Sequence, residues 1–86
     1  SYQEEEFLSL MLEKTIKRIQ GTLEKEQAEL FGPFPATIYK LKDNFRKIIY
    51  IKQESHDIII RLRNLFVEEL RKEDKRSLIQ LQFDLL

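Results

Sequence analysis

The 86-residue sequence contains no cysteine and has only two glycines, two prolines and one histidine. Without cysteine it can form no disulfide, thiolate zinc site or cysteine nucleophile, and we expect a reducing compartment. With Gly21 and Gly32 as the only glycines, no glycine-rich phosphate-binding loop can form. His56 has no serine or cysteine partner at a recognisable spacing, so we interpret it as an ordinary residue at a helix start.

Long apolar runs and basic leader residues are also missing. The longest uninterrupted apolar run covers residues 48–51, whereas a membrane span needs about 20 apolar residues. Residues 1–6 are acidic and lack the basic start of a secretory signal. Acidic clusters elsewhere lack the alternating ligands and the glycine of a calcium loop, so no metal site is predicted. We predict one cytoplasmic, monomeric domain over residues 1–86, without membrane contact.

Charge is balanced overall, with 15 basic and 15 acidic residues, but it is unevenly distributed. Residues 1–35 carry four basic and seven acidic side chains (net −3), and residues 53–86 carry six and seven (net −1). Residues 36–52 carry one acidic side chain, Asp43, and five basic ones (net +4), namely Lys40, Lys42, Arg46, Lys47 and Lys52. We therefore expect an anionic partner to bind at this central segment.

Two amphipathic helices are predicted from apolar residues spaced three or four positions apart. The first covers about 3–20, starts with acidic residues that suit the positive end of a helix, and ends at Gly21 as a C-terminal cap. Its apolar stripe consists of Phe7, Leu8, Met11, Leu12, Ile16, Ile19 and Leu23. The second covers about 56–72, with Ser55 as N-cap. Its apolar stripe consists of Ile58, Ile59, Leu62, Leu65, Phe66 and Leu70.

Short strands are predicted between and after the helices. Residues 28–31 form a short strand that ends in a fixed turn built by Gly32, Pro33 and Pro35. Residues 36–42 and 45–52 form a hairpin around a two-residue turn at Asp43–Asn44. A charged turn at 72–76 leads to a closing strand over 79–85, where apolar and polar residues alternate.

The predicted fold class is α+β, with two helices packed on one face of a small, mostly antiparallel sheet. In a split βαβ arrangement a strand would precede the first helix. We therefore expect that the first strand is lacking through truncation.

The predicted hairpin sorts its side chains onto two faces. One face carries the core residues Ala36, Ile38, Ile49 and Ile51, with Lys40, Lys42, Phe45 and Lys47 toward the tip. The other face carries Thr37, Tyr39, Leu41, Arg46, Ile48, Tyr50 and Lys52. Cations interleaved with Tyr39 and Tyr50 are typical of a nucleic-acid surface, where cations meet phosphate and rings stack on bases. Lysines on a hairpin also serve simply to block edge-to-edge pairing, so both interpretations stay open.

Two stretches of this sequence carry a resemblance to a known family. Residues 32–36 match a Gly-Pro-x-Pro-Ala turn, and Phe45-Arg46 with the following apolar run matches an aromatic–arginine pair on the next strand. The flanking helices and the closing Phe83-Asp84 fit as well. Over essentially its whole length the sequence resembles the C-terminal domain of the bacterial primosomal replication-restart DNA helicases (primosomal protein N′, PriA).

The resemblance implies a fold like that of a ribosomal small-subunit protein and a domain without catalytic motifs. ATP, magnesium and structural zinc would belong to other domains of the full-length helicase, so no cofactor is expected in this chain. The implied partners are forked or single-stranded DNA, the acidic, phenylalanine-ended tail of single-stranded DNA-binding protein, and other domains of the same helicase. The expected contact residues are Tyr39, Lys40, Lys42, Arg46, Lys47, Tyr50, Lys52 and Arg61, with His56 and Ile60 as further candidates for the tail.

A second interpretation makes the hairpin and the Gly-Pro turn a structural docking surface for other domains of the helicase, with no DNA contact. It predicts that the isolated domain ignores DNA at physiological salt. A small-molecule enzyme is a third interpretation, but the sequence shows neither a nucleophile–base pair nor a set of metal ligands to support it.

Overall fold

The computed structural model describes residues 2–35, 47–77, 79 and 81. Four elements follow one another in these residues: α1 (Tyr2–Lys25), β1 (Glu29–Pro35), β2 (Lys47–Lys52) and α2 (His56–Glu73). In the described residues β1 and β2 form a two-stranded antiparallel sheet. The α+β class predicted from the sequence is therefore confirmed.

The core lies where the two helices and the inner face of the sheet meet. Its buried side chains come from both apolar stripes: Leu12, Ile19 and Leu23 from α1, and Leu62, Phe66 and Leu70 from α2. From the sheet, Leu30, Ile49 and Ile51 pack against this cluster. Each fully buried side chain of this kind contributes about 1.5–3 kcal/mol, so the helix pair is the main source of stability. The prediction for Phe7 is wrong, because its side chain is 54% exposed.

Ion pairs on the surface show that α1 and α2 run antiparallel. Arg18 lies 3.6 Å from the carboxylate of Glu69 and also pairs with Glu73 near the end of α2. At the other end, Arg61 Nη2 lies 3.7 Å from Glu26 Oε2, just beyond the end of α1. These pairs are partly exposed, so each stabilises the fold by no more than about 1 kcal/mol.

Helix α1 is longer than predicted, and Gly21 does not cap it. The apolar stripe continues to Leu23, which is buried, while Gly21 lies on the exposed side, where the lack of a side chain leaves no gap in the core. The helix ends instead with Gln27 in a left-handed conformation (φ 56°). The Ala28 N–H donates to the Leu23 carbonyl (2.9 Å) and the Gln27 N–H to the Glu24 carbonyl (3.1 Å), which is the Schellman pattern.

Strand β1 runs through the segment that was predicted as a turn. Gly32, Pro33 and Pro35 lie within Glu29–Pro35, so the predicted turn is wrong. Pairing with β2 continues on both sides of a register shift between Phe31 and Phe34, that is, a β-bulge. The Gly32–Pro33 peptide bond is cis, and Gly32 has φ 111°. A bulge tolerates this dipeptide because its residues leave the regular hydrogen-bond ladder.

Strand β2 pairs with β1, a pairing that is absent from the prediction: Lys47 lies opposite Pro35, and Lys52 lies opposite Glu29. The predicted hairpin, with strand 36–42 and the Asp43–Asn44 turn, lies outside the described residues. The two faces of β2 are as predicted: Ile49 and Ile51 point toward the core, and Ile48, Tyr50 and Lys52 are exposed.

Helix α2 begins where the sequence predicts. The Ser55 Oγ accepts a hydrogen bond from the Ile58 N–H at 3.4 Å, as an N-cap does. Of the predicted closing strand over 79–85, the structure describes only Ile79 and Leu81, which pack against the core and carry no strand assignment.

Asp74, part of the predicted charged turn, is buried rather than solvated. Its side chain is 1% exposed. Its Oδ2 accepts a hydrogen bond from the Ile79 N–H at 2.7 Å and another from Arg71 Nη1 at 3.0 Å. The same Arg71 Nη1 also donates to the Ile79 carbonyl at 3.0 Å. The carboxylate and the guanidinium thus hold the backbone of Ile79 next to the end of α2.

Replacing Gly32 should destabilise the protein strongly. In a Gly32→Ala variant the new Cβ would lie 2.5 Å from the Ile48 carbonyl oxygen, at a φ that side chains rarely adopt. We expect the free energy of unfolding to fall by about 2 kcal/mol or more in urea denaturation. The matched control is Gly21→Ala, whose Cβ meets nothing within 4 Å and which should stabilise α1 by about 0.5–1 kcal/mol. Equal changes in the free energy of unfolding for the two substitutions would contradict the close contact between Gly32 and Ile48 at the bulge.

Asp74→Ala should lower the free energy of unfolding by about 1–3 kcal/mol, because the Ile79 N–H and Arg71 lose a buried acceptor. Glu73→Ala serves as the control, since it removes only a partly exposed ion pair with Arg18 and should cost no more than about 1 kcal/mol. Thermal unfolding of both variants measures the difference. A loss for Glu73→Ala as large as that for Asp74→Ala would show that Asp74 does not hold this segment.

Candidate nucleic-acid interface

The outer side of the sheet carries a group of aromatic and aliphatic side chains that the described residues leave exposed. We call Phe31, Phe34, Ile48 and Tyr50 the aromatic face; their exposed fractions are 42%, 46%, 38% and 51%. Single exposed apolar residues are common on protein surfaces, but contiguous ones mark binding surfaces. The aromatic face is therefore the first candidate for a functional site.

The strand register explains why these four side chains share one face. Phe31 is the cross-strand partner of Tyr50, and Phe34 is the partner of Ile48. Ile48 and Tyr50 are two residues apart on β2 and so point the same way. Phe31 and Phe34 are three apart and would point to opposite faces in a regular strand. The bulge at Gly32–Pro33 inserts the extra residue that returns Phe34 to the outer side.

The rings of Phe34 and Tyr50 are neighbours across the two strands. Their centroids lie 6.1 Å apart, and the ring planes are inclined at 47°. This separation falls within the range of favourable edge-tilted aromatic pairs. The pair holds both rings on the sheet surface while about half of each side chain stays accessible.

Of the two lysines of β2, only Lys52 lies on the aromatic face. It is exposed on the same face of β2 as Tyr50, opposite Glu29 on β1. Lys47 begins β2 at the other end, but it alternates with Ile48, so it lies on the inner face with Ile49 and is partly buried. The remaining predicted contact residues of the central segment, Tyr39, Lys40, Lys42 and Arg46, lie outside the described residues.

Arg61 and Lys52, two of the residues predicted to bind an acidic peptide, have carboxylates beside them. The side chain of Arg61 is 66% exposed, and its Nη2 lies 3.7 Å from the carboxylate of Glu26. A shallow depression of about 420 Å³ beside Lys52 is lined by Gln27, Glu29, Lys52, Gln53 and Glu54, two carboxylates for one ammonium group. His56 is exposed at the start of α2, and Ile60 is half-buried. These carboxylates weaken the positive field that an acidic peptide requires.

The Gln53 side chain fixes the end of β2 relative to both helices. Its Nε2 donates to the Glu26 carbonyl at 2.6 Å, at the end of α1. Its Oε1 accepts from the Ser55 N–H at 3.1 Å, next to the N-cap of α2. The position of Lys52 relative to α1 and α2 is therefore held by a residue that the sequence analysis did not single out.

The part of the chain that the structure describes gives little support to a metal site or a membrane span. Residues 2–35, 47–77, 79 and 81 include no group of three histidine, cysteine or acidic side chains that could hold a metal ion. Neither α1 nor α2 has the length and apolar content needed to cross a bilayer. Comparisons of the chain with protein-family models, with curated proteins and with solved structures found no match.

Sequence reasoning found Tyr50 and Lys52 but missed Phe31 and Phe34 as surface residues. Strict alternation assigns these two phenylalanines to opposite faces, and the Gly-Pro dipeptide between them predicts the end of the strand. A signal was present, because glycine followed by proline inside an apolar run also marks a bulge.

Substitutions on the aromatic face should have little effect on stability. We expect Phe34→Leu and Tyr50→Leu each to change the free energy of unfolding by less than about 1 kcal/mol, because these side chains are half exposed. Leu62→Ala, in the core, should cost about 2–5 kcal/mol. Urea denaturation of the three variants compares them directly. Losses at Phe34 and Tyr50 as large as that at Leu62 would show that the rings belong to the core.

Proposed function

We propose that this chain is a non-catalytic binding module of a cytoplasmic replication-restart DNA helicase, and that it contacts single-stranded or branched DNA. The proposal rests first on one observation, the exposed ring of Tyr50 beside Lys52 on the outer side of β2. The resemblance to the C-terminal domain of primosomal helicases, which is strongest over residues 31–52, supports it and supplies the biological setting.

The charge distribution of the sequence supports DNA as the partner. Residues 36–52 carry a net charge of +4, while residues 1–35 carry −3. Lysine and arginine that neutralise phosphates release condensed counterions, which drives binding and makes it depend on salt. Of the described elements, β2 is the one that lies within this basic segment, so we expect the DNA backbone to run along β2.

The acidic tail of single-stranded DNA-binding protein is a second proposed partner, through Lys52 and Arg61. Its support is the resemblance together with the exposed guanidinium of Arg61. Because Glu26 and Glu29 lie beside these two cations, we propose tail binding as secondary to DNA binding. Docking of the aromatic face onto another domain of the same helicase is the alternative, since an exposed apolar surface also suits that role.

A salt series tests DNA binding. We expect fluorescence anisotropy with a labelled forked DNA to show binding that weakens as salt increases. Neutralising the exposed cation beside Tyr50 in Lys52→Gln should lower the affinity and make the slope of log K against log salt less steep by about one. The matched control is Lys14→Gln, which removes one exposed lysine of α1.

The control variant should bind like the original chain. An equal loss in both variants would mean that binding follows net charge and not the position of Lys52 on β2. No binding of the fork at low salt would reject the DNA-binding proposal and favour interdomain docking. The acidic tail peptide would then be titrated separately, with Arg61→Gln as the variant.

A further inference from the structure

We propose that the aromatic face is a stacking platform for the unpaired bases of single-stranded DNA. This inference rests on the proposed DNA-binding function and deepens it. It names the part of the DNA that is bound, the base rather than the phosphate alone, and adds Phe31 and Phe34 to the contact residues.

Three of the four side chains on the aromatic face are rings, and each is about half exposed. Aromatic side chains on an open sheet surface bind single strands because every base has a π-face, whatever its sequence. An aliphatic surface would serve a protein partner equally well, but a surface dominated by rings matches flat bases. The composition therefore favours bases over a generic apolar partner.

The ring geometry leaves room for a base. Phe34 and Tyr50 are inclined at 47° with centroids 6.1 Å apart, so neither ring covers the face of the other in a parallel stack. Stacking of a base on either ring would therefore not require a parallel ring pair to separate. Phe31 stands opposite Tyr50 on the neighbouring strand and extends the platform along β1.

Charge complementarity also points to a nucleic acid. Lys52 follows Tyr50 on the same face, one alternation further along β2. The segment to which β2 belongs carries a net charge of +4. A strand whose bases lie on the rings would thus keep its phosphates near cations, whereas a purely apolar protein segment would gain nothing from them.

The platform selects unpaired DNA. In a duplex each base is covered above and below by its neighbours, and it cannot lie on a protein ring unless it is first unstacked, which costs free energy. The bases of a single strand are available without that cost. Stacking on aromatic side chains is tolerant of sequence, so no base preference is expected.

The test measures the binding of three labelled ligands to the full chain by fluorescence anisotropy at low salt. The ligands are an oligothymidylate, an abasic strand of equal length and charge, and a duplex. The oligothymidylate has about 12 nucleotides, which is within the site sizes of small single-strand-binding folds. The stacking variant is Phe34→Leu/Tyr50→Leu. The matched control is Phe7→Leu, which removes a ring of similar exposure (54%) from α1. Circular dichroism confirms that all variants are folded.

We expect the original chain and Phe7→Leu to bind oligothymidylate more tightly than the abasic strand or the duplex. Phe34→Leu/Tyr50→Leu should lose about tenfold or more in affinity for oligothymidylate and should no longer distinguish it from the abasic strand. Equal binding of all three ligands, with no effect of the ring substitutions, would overturn the platform while leaving the phosphate-binding proposal intact. No binding of any ligand would overturn both.

Discussion

The described structure depends on the burial of the inner face of the sheet against the helix pair. A two-stranded ribbon is only marginally stable in water. Here Leu30, Ile49 and Ile51 pack onto the cluster of α1 and α2 residues, which holds the ribbon in place. One face of each strand is thereby committed to the core. The opposite face contributes little to stability, and its side chains can be chosen for binding instead.

The bulge at Gly32–Pro33 adjusts this division along β1. Leu30 points inward and Phe31 outward, as alternation requires, and the register shift then brings Phe34 outward as well. A side chain at Gly32 would collide with the Ile48 carbonyl, so the close approach of the strands requires glycine at this point. A local backbone feature thus decides the composition of a surface that the hydrophobic pattern alone describes incorrectly.

Periodicity predicted both helices, the N-cap at Ser55 and the faces of β2, because these follow from local spacing and burial. It could not locate the end of α1, since Gln27 takes the left-handed position that glycine usually takes. It could not find the buried role of Asp74 either, because its partner Ile79 is brought near only when the chain turns back after α2. The β1–β2 pairing is not predicted for a similar reason, because it continues through a bulge whose glycine and proline are also typical of a turn.

Stacking and phosphate binding would contribute to DNA affinity through different side chains and with different dependence on conditions. Rings on the outer face provide a contribution that varies little with salt, whereas lysines provide one that falls as salt increases. Glu29 opposite Lys52 reduces the electrostatic contribution at that end of the sheet, so the rings would supply a larger share there. If the proposal holds, a surface of this kind would bind exposed single strands of any sequence. It would bind an intact duplex less well, because a duplex offers phosphates but no accessible base faces.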